Sequence, residues 1–290
     1  VEDIEDDGDP SEYDDESTSY DSSDNEALIG NDRVQMEERE FLSSRLTPKV
    51  DIFSLGCVFS YLLSRGTHPY GDHVFDQHTN MEKRKPNLKY CKENVPEAYD
   101  LISWMIAINP DKRPWAMQCK YHPFFWDNAQ ILNFLLDTSD YIEKCDKSHE
   151  LRITVELASK KIIGNDWSLF VDGEMLKDAG KHRKYNFSSL RDYLRLIRNK
   201  WNHYDELPAD LQTKLSEEHE DDEINIKSAD KFVYYFTQFT PHLVMYCYKV
   251  IASAIKSNEP RIKALSHYFM QLPDYRIKLY HKQVRIDRFR

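Results

Sequence analysis

Between Ser188 and Tyr204 the chain carries the spacing of an amphipathic helix. Leu190, Leu194, Ile197 and Trp201 recur every three or four residues and define one buried face, while Arg191, Arg195, Arg198 and Asn202 fall on another. Asn199 and His203 are four residues apart, so their side chains meet one turn above each other. Ser188 or Ser189 can cap the start, Asp192 suits the first turn, and Leu207-Pro208 marks the stop. Such a helix presents Arg, Asn and His together on a rigid support.

The surrounding stretch, Lys181 to Tyr204, has seven Lys or Arg against one Asp, with Tyr185, Phe187, Tyr193, Trp201 and Tyr204 set among them. Cations can hold a phosphodiester backbone, and aromatic rings can stack on bases. Arg183, Lys184, Arg195 and Lys200 are the candidate RNA contacts. RNA can be cut without metal when its own 2′-OH attacks the adjacent phosphorus. That reaction needs a base for the hydroxyl proton, an acid for the leaving 5′-oxygen and donors for the phosphoryl oxygens. An imidazole titrates near neutrality, which makes His203 the natural acid. Tyr185, among Arg and Lys, is the candidate base, and Arg198 and Asn199 are candidate phosphate-gripping groups. From periodicity alone, the plainer description is a surface histidine beside a solvated arginine face.

The motifs around these residues resemble a known family. Arg198-Asn199-Lys200-Trp201-Asn202-His203-Tyr204 followed by Glu206-Leu207-Pro208 is similar to the R-N-K-x-x-H-[YF]-x-x-L-P signature of the KEN ribonuclease domain. That domain occurs in inositol-requiring enzyme, the unfolded-protein-response sensor, and in ribonuclease L. Tyr185 after Arg183-Lys184, Tyr235-Phe236-Thr237 and Pro241-His242-Leu243 extend the likeness. Two departures stand out: Trp201-Asn202 replaces the polar or basic pair common before the histidine, and Phe239 sits one place early before Thr240-Pro241.

Upstream, Asp51-Ile52-Phe53-Ser54-Leu55-Gly56 resembles the D-x-[WF]-S-x-G motif of a protein-kinase C-lobe. Gly66-Thr67-His68-Pro69-Tyr70-Gly71, Asn109 to Pro114 and His122 to Trp126 resemble its later turns and helices. Asp51, Gly56 and Arg113 are its structural positions. The resemblance implies a Glu partner for Arg113, with Glu37, Glu38 and Glu40 as competing candidates. A Gly-rich loop, V-A-I-K lysine, H-R-D loop and D-F-G ligand do not occur in kinase order. Val171-Asp172-Gly173 reads as a turn between short strands. ATP and magnesium are therefore expected only in an intact parent kinase, with no cofactor and no metal for the nuclease.

The expected fold is mainly α: partial kinase C-lobe helices packed on an all-helical KEN domain, preceded by a disordered acidic segment. The expected divisions are 1–45 acidic linker or activation-loop insert, 46–126 partial C-lobe, 127–273 endoribonuclease domain and 274–290 basic tail. Helices are expected at about Asp51 to Ser64, Glu97 to Ile108 and Asn128 to Leu136. Two more are expected between Lys231 and Lys256, broken near Pro241. A short strand is read at 165–171 from the alternation of Trp167, Leu169 and Val171, and Trp115 with Phe124-Phe125-Trp126 is expected to fill the lobe base. The six basic residues between Tyr275 and Arg290 suggest a free charged tail.

Net charge misleads at first. Residues 1–30 hold thirteen Asp or Glu and no Lys or Arg, so removing their −13 from the total of −11 leaves the rest at +2, compatible with an RNA partner. The acidic run from Glu217 to Glu223, with His219 inside it, reads as an exposed loop. Five scattered cysteines without a C-x-x-C pair fit reduced thiols. No apolar run reaches the length of a membrane span, and Val1 in place of Met suggests a piece of a longer protein.

The resemblance implies an endoribonuclease cleaving RNA hairpin loops, as in unfolded-protein-response mRNA splicing, fused to the C-lobe of a serine/threonine kinase. It also implies activation by back-to-back self-association and a parent on the cytosolic face of the endoplasmic reticulum membrane, with no membrane contact by this chain. The rivals are a ribonuclease L-like nuclease, or a kinase portion with a non-catalytic docking or RNA-binding domain.

Overall fold

The computed structural model describes residues 48–217, 226–255 and 259–287. The acidic segment before residue 46, the three candidate partners of Arg113 and the acidic loop around His219 lie outside the described residues.

The N-terminal helices are α1 (Pro48–Leu63), α2 (Val74–Glu82), α3 (Lys89–Asn94), α4 (Pro96–Met105) and α5 (Ala116–Lys120). Proline at the first position of α1 and α4 costs nothing, because that N–H has no intrahelical partner. Helix α1 ends where Arg65 and Gly66 turn to positive φ. Its Gly56 faces the C-terminal end of α4 closely: a Cβ there would lie 2.8 Å from Met105 Cβ and from the Ile106 side chain. Leu101, Ile102 and Met105 of α4 are fully buried in this contact region.

The remaining chain forms α6 (Asn128–Lys144), α7 (Glu150–Leu157), α8 (Ser159–Ile163), α9 (Gly173–His182), α10 (Leu190–Asn202), α11 (Ala209–Leu215), α12 (Ala229–Thr237), α13 (Leu243–Ala254), α14 (Pro260–Lys263) and α15 (Asp274–Asp287). Helix α6 starts with a reciprocal cap between Asp127 and Gln130 and runs well past the expected end at Leu136. The fold is mainly α as expected. One departure is a two-residue antiparallel pair, β1 (Ser216–Glu217) with β2 (Ile226–Lys227), in register Ser216↔Lys227.

Helix α10 packs on α6, and its Leu190, Leu194, Leu196 and Ile197 are each at most 1 % exposed. Burial of this kind contributes about 1.5–3 kcal/mol per side chain. At the junction, the Trp126 ring lies 5.2 Å from Phe134, 5.6 Å from Tyr248 and 5.5 Å from Tyr268, edge-on or tilted.

Four expectations are corrected. Residues 165–171 form a 3₁₀ turn, Trp167–Leu169, capped by Asp166. Three alternating apolar residues are too few to distinguish a strand from such a turn. Val171-Asp172-Gly173 is the entry to α9, with Asp172 accepting from the Glu174 N–H. Trp115 is 56 % exposed, with the Lys49 ammonium 3.6 Å from its ring centroid, and Phe125 is also exposed. The basic tail is largely helix α15, whose Tyr280 is fully buried against α13. The phenylalanine shift before Pro241 resolves locally. Phe239 stays exposed with its ring 5.6 Å from Phe170, and buried Thr240 bonds the Phe236 carbonyl at 3.1 Å.

Candidate active site

The site forms where α9, the loop 183–189 and the C-terminal end of α10 converge. Ser189 caps α10 by accepting from the Asp192 N–H at 3.1 Å. Asp192 in turn accepts from the Asn186 N–H at 2.8 Å. These two bonds fold the loop back over the helix and carry Tyr185 toward its last turn. The Asn199 side-chain amide then donates to the Tyr185 hydroxyl oxygen at 3.0 Å. Tyr185 also rests edge-on against buried Trp167, with centroids 6.1 Å apart.

Asn199 is itself held. Arg198 donates from Nε and Nη2 to Asn199 Oδ1 at 3.3 and 3.0 Å, and from Nη1 to Asp140 of α6 at 2.9 Å. The chain of contacts Asp140–Arg198–Asn199–Tyr185 therefore fixes both the amide and the phenol. His203 is the C-terminal cap residue of α10, its N–H bonded to the Asn199 carbonyl at 3.0 Å. Its side chain is 63 % exposed, and Nδ1 lies 2.8 Å from Glu206 Oε1.

A cavity of about 300 Å³ lies between these groups, lined by Tyr185, Asn199, His203, His182, Arg183 and Glu206 among others. Phenol, amide and imidazole thus meet in one space. Arg183 lines it and Lys184 is exposed beside it, so both are available to an anionic ligand.

Two expected RNA contacts are held by carboxylates, although Lys200 and its partner Asp178 also line the cavity. Arg195 is 3 % exposed, paired with Asp192 at 2.7 Å and with Glu143 of α6. Lys200 is 6 % exposed, its ammonium 2.5 Å from Asp178 of α9. Burial alone would raise the Asp178 carboxyl, but the bonded Lys200 and Lys181 ammonium groups hold it below its usual range. Arg195 therefore ties α10 to α6, and Lys200 ties α10 to α9 at the wall of the cavity. The Trp201 departure also has a structural use: its ring packs 5.0 Å from Phe232, and the Lys227 ammonium lies 3.9 Å above it while donating to the Trp201 carbonyl at 2.6 Å.

Sequence reasoning missed His182 and Glu206. Glu206 was visible only as part of a motif, and His182 becomes notable once α9 ends beside α10.

Among the N-terminal positions, Arg113 donates to three backbone carbonyls: Ala107 at 2.7 Å, Lys49 at 2.9 Å and Ile108 at 3.2 Å. Lys49 returns a bond to the Arg113 carbonyl at 2.7 Å. These contacts tie the start of α1 to the segment after α4. Asp51 lies exposed in the first turn of α1.

Among the described residues, one group has geometry that could hold a metal ion: Cys145, His149 and Glu259, with ligand atoms within 4.8 Å of one another. It differs from the expectation of no ligand cluster. His149 Nδ1 already accepts from the Leu151 N–H at 3.3 Å, which leaves Nε2–H to donate to Glu259 at 3.1 Å. The group thus has its own hydrogen-bonding explanation and shares no residue with the cavity above.

Residues 131–266 match the Ribonuclease 2-5A family and residues 39–125 match the protein kinase domain. The class is therefore a ribonuclease-type domain joined to the helical part of a kinase domain. The chain is 37 % identical over 226 residues to the serine/threonine-protein kinase/endoribonuclease IRE1 of Oryza sativa subsp. japonica, covering 78 % of this chain and 23 % of that protein. It is 34 % identical over 231 residues to the sensor for unfolded proteins in the ER, ire1, of Schizosaccharomyces pombe (77 % and 20 %). It is 36 % identical over 210 residues to the serine/threonine-protein kinase/endoribonuclease IRE2 of Homo sapiens (71 % and 22 %). The chain belongs to this inositol-requiring enzyme family of kinase/endoribonucleases. It spans between a fifth and a quarter of the length of these relatives.

Proposed function

We propose that this chain is an endoribonuclease that cleaves RNA hairpin loops by attack of a 2′-OH on the adjacent phosphorus. The observation that carries this reading is the convergence of Tyr185, Asn199 and His203 on one open cavity. In the reaction Tyr185, as its phenolate, takes the 2′-hydroxyl proton and becomes the phenol, and His203, as imidazolium, gives a proton to the departing 5′-oxygen. The Asn199 amide faces the phosphoryl oxygens; Arg198, expected to grip them as well, is engaged with Asn199 Oδ1 and Asp140 and orients the amide from behind. Arg183 and Lys184 attract the backbone. Hairpin loops suit such a site because their bases are unpaired and can be splayed against it.

The step needs no metal, and the candidate metal group lies in a different set of residues. ATP and magnesium belong to the kinase of the intact parent, which acts on the cytosolic face of the endoplasmic reticulum membrane. Among the described residues no helix is long and apolar enough to cross a membrane. Self-association of two copies would build the RNA surface across both.

His203→Ala is expected to reduce cleavage of a labelled hairpin by about a hundredfold or more, while RNA affinity and helicity stay near wild type. Equal turnover by the variant would overturn the assignment.

A further inference from the structure

We infer that Glu206 is a positioning residue for cleavage: its carboxylate holds the His203 imidazole so that Nε2 is the nitrogen that gives up the proton. This rests on the role proposed for His203 above.

The placement is built into the backbone. After α10 the chain makes one 3₁₀ turn, Tyr204–Glu206, before Leu207-Pro208 extends it. The Glu206 N–H bonds the His203 carbonyl at 3.1 Å, which returns residue 206 to the side of residue 203. Although both side chains are exposed, the turn beneath them is pinned. Tyr204, 2 % exposed, donates its hydroxyl to the Gln212 carbonyl at 2.9 Å. The Gln212 amide donates back to the Tyr204, Asp205 and Leu207 carbonyls at 3.4, 3.2 and 3.0 Å. The contact between Glu206 Oε1 and His203 Nδ1, at 2.8 Å, therefore arises from an ordered frame and not from two free surface chains.

The chemistry gives the contact a purpose. As the 2′-oxygen forms its bond to phosphorus, the bond from phosphorus to the 5′-oxygen breaks. The proton on imidazolium Nε2 passes to that oxygen. What remains is a neutral imidazole with its hydrogen on Nδ1, the form that the Glu206 carboxylate accepts from. Without the carboxylate, either nitrogen can lose the proton, and a neutral imidazole in water favours the opposite form, with hydrogen on Nε2. The bond from His203 also holds the Glu206 carboxyl below its usual range, with a lesser contribution from His182 across the cavity. Glu206 is thus charged and able to accept throughout the neutral range.

Two measurements test the inference in the intact chain. With ¹⁵N-labelled histidine, the ring-nitrogen shifts of His203 are read at a pH where it is neutral, its signals assigned by comparison with His203→Ala. Wild type is expected to hold hydrogen on Nδ1, and Glu206→Ala to move it mainly to Nε2. In single-turnover cleavage of a labelled hairpin, Glu206→Ala is expected to lower kcat about tenfold and to change KM less than about twofold. That loss is well below the ~10⁴-fold cost of disabling a buried carboxylate behind a catalytic histidine, because this pair is solvated. An Nε2–H imidazole in wild type, or an unchanged kcat in Glu206→Ala, overturns the inference. Failure of the underlying reading looks different: His203→Ala would still cleave, while the tautomer result would stand on its own.

Discussion

Arg198 and Arg195 sit three residues apart on one helix, and their surroundings divide their roles. Arg195 faces Asp192 and Glu143 and is sealed, whereas Arg198 spans Asp140 and the cavity-lining Asn199. Nothing in the sequence near either residue announces the difference, because the deciding carboxylates come from α6, some fifty residues earlier. The pairing of Lys200 is equally hidden, since Asp178 reaches it from α9. Tyr185, Asn199 and His203 were legible because the 3.6-residue period placed two of them and the loop motif supplied the third. Arg198→Lys keeps the charge but loses the planar fork that grips Asn199 and Asp140 together. It is expected to lower kcat on the order of a hundredfold, the scale of a small misplacement at a reacting centre. Single-turnover cleavage with unchanged circular dichroism would bear this out, and a wild-type rate would remove Arg198 from the positioning chain.

At the scale of elements, helices marked by a clear apolar run lie within a few positions of where the sequence places them: α1, α4, α10 and the pair α12 and α13 about Pro241. The end of α6 does not, because the polar run Asp137-Thr138-Ser139-Asp140 interrupts its apolar spacing, although Thr138 and Ser139 are buried. Helix α15 was hidden by its charge. Its Arg276 is read as a solvated tail residue until Asp100, from a distant helix, is brought beside it. The kinase-like glycine has a steric explanation. With Met105 and Ile106 atoms 2.8 Å from where its Cβ would stand, Gly56→Ala must push α1 away from α4. A loss of about 1–3 kcal/mol is expected in urea unfolding, and an unchanged midpoint would show that the contact yields freely.

Among the described residues, a buried charge cluster joins the N-terminal helices to the nuclease-type domain. Asp100 of α4 receives Arg276 and the Tyr280 hydroxyl of α15, the latter at 2.7 Å, Lys249 of α13 at 2.8 Å, and His122 at 3.3 Å. Burial by itself would raise the Asp100 carboxyl, yet Arg276, Lys249 and His122 hold it well below the usual range. Burial lowers His122, outweighing its bond to Asp100, so the imidazole is kept neutral. Both shifts act in one direction: the unfolded chain binds more protons in acid than the folded one. The His122 contribution is complete above about pH 6.5 and declines as pH falls below it, and the Asp100 contribution declines below about pH 3.9. Thermal stability is therefore expected to fall on acidification in two stages, the first absent in His122→Asn. Asp100→Asn leaves Arg276 and Lys249 without their buried partner and is expected to cost about 3–5 kcal/mol. A loss below about 1 kcal/mol would show that the cluster does not hold the two parts together.

In the proposed reaction an imidazole and a phenolate sharing one cavity cut RNA through its own 2′-hydroxyl. Its most direct test is end-group analysis of a labelled hairpin cleaved by this chain in excess EDTA. Cleavage is expected at the rate seen without chelator, leaving a 2′,3′-cyclic phosphate and a 5′-hydroxyl. A 3′-hydroxyl product, or loss of cleavage in the chelator, would contradict it.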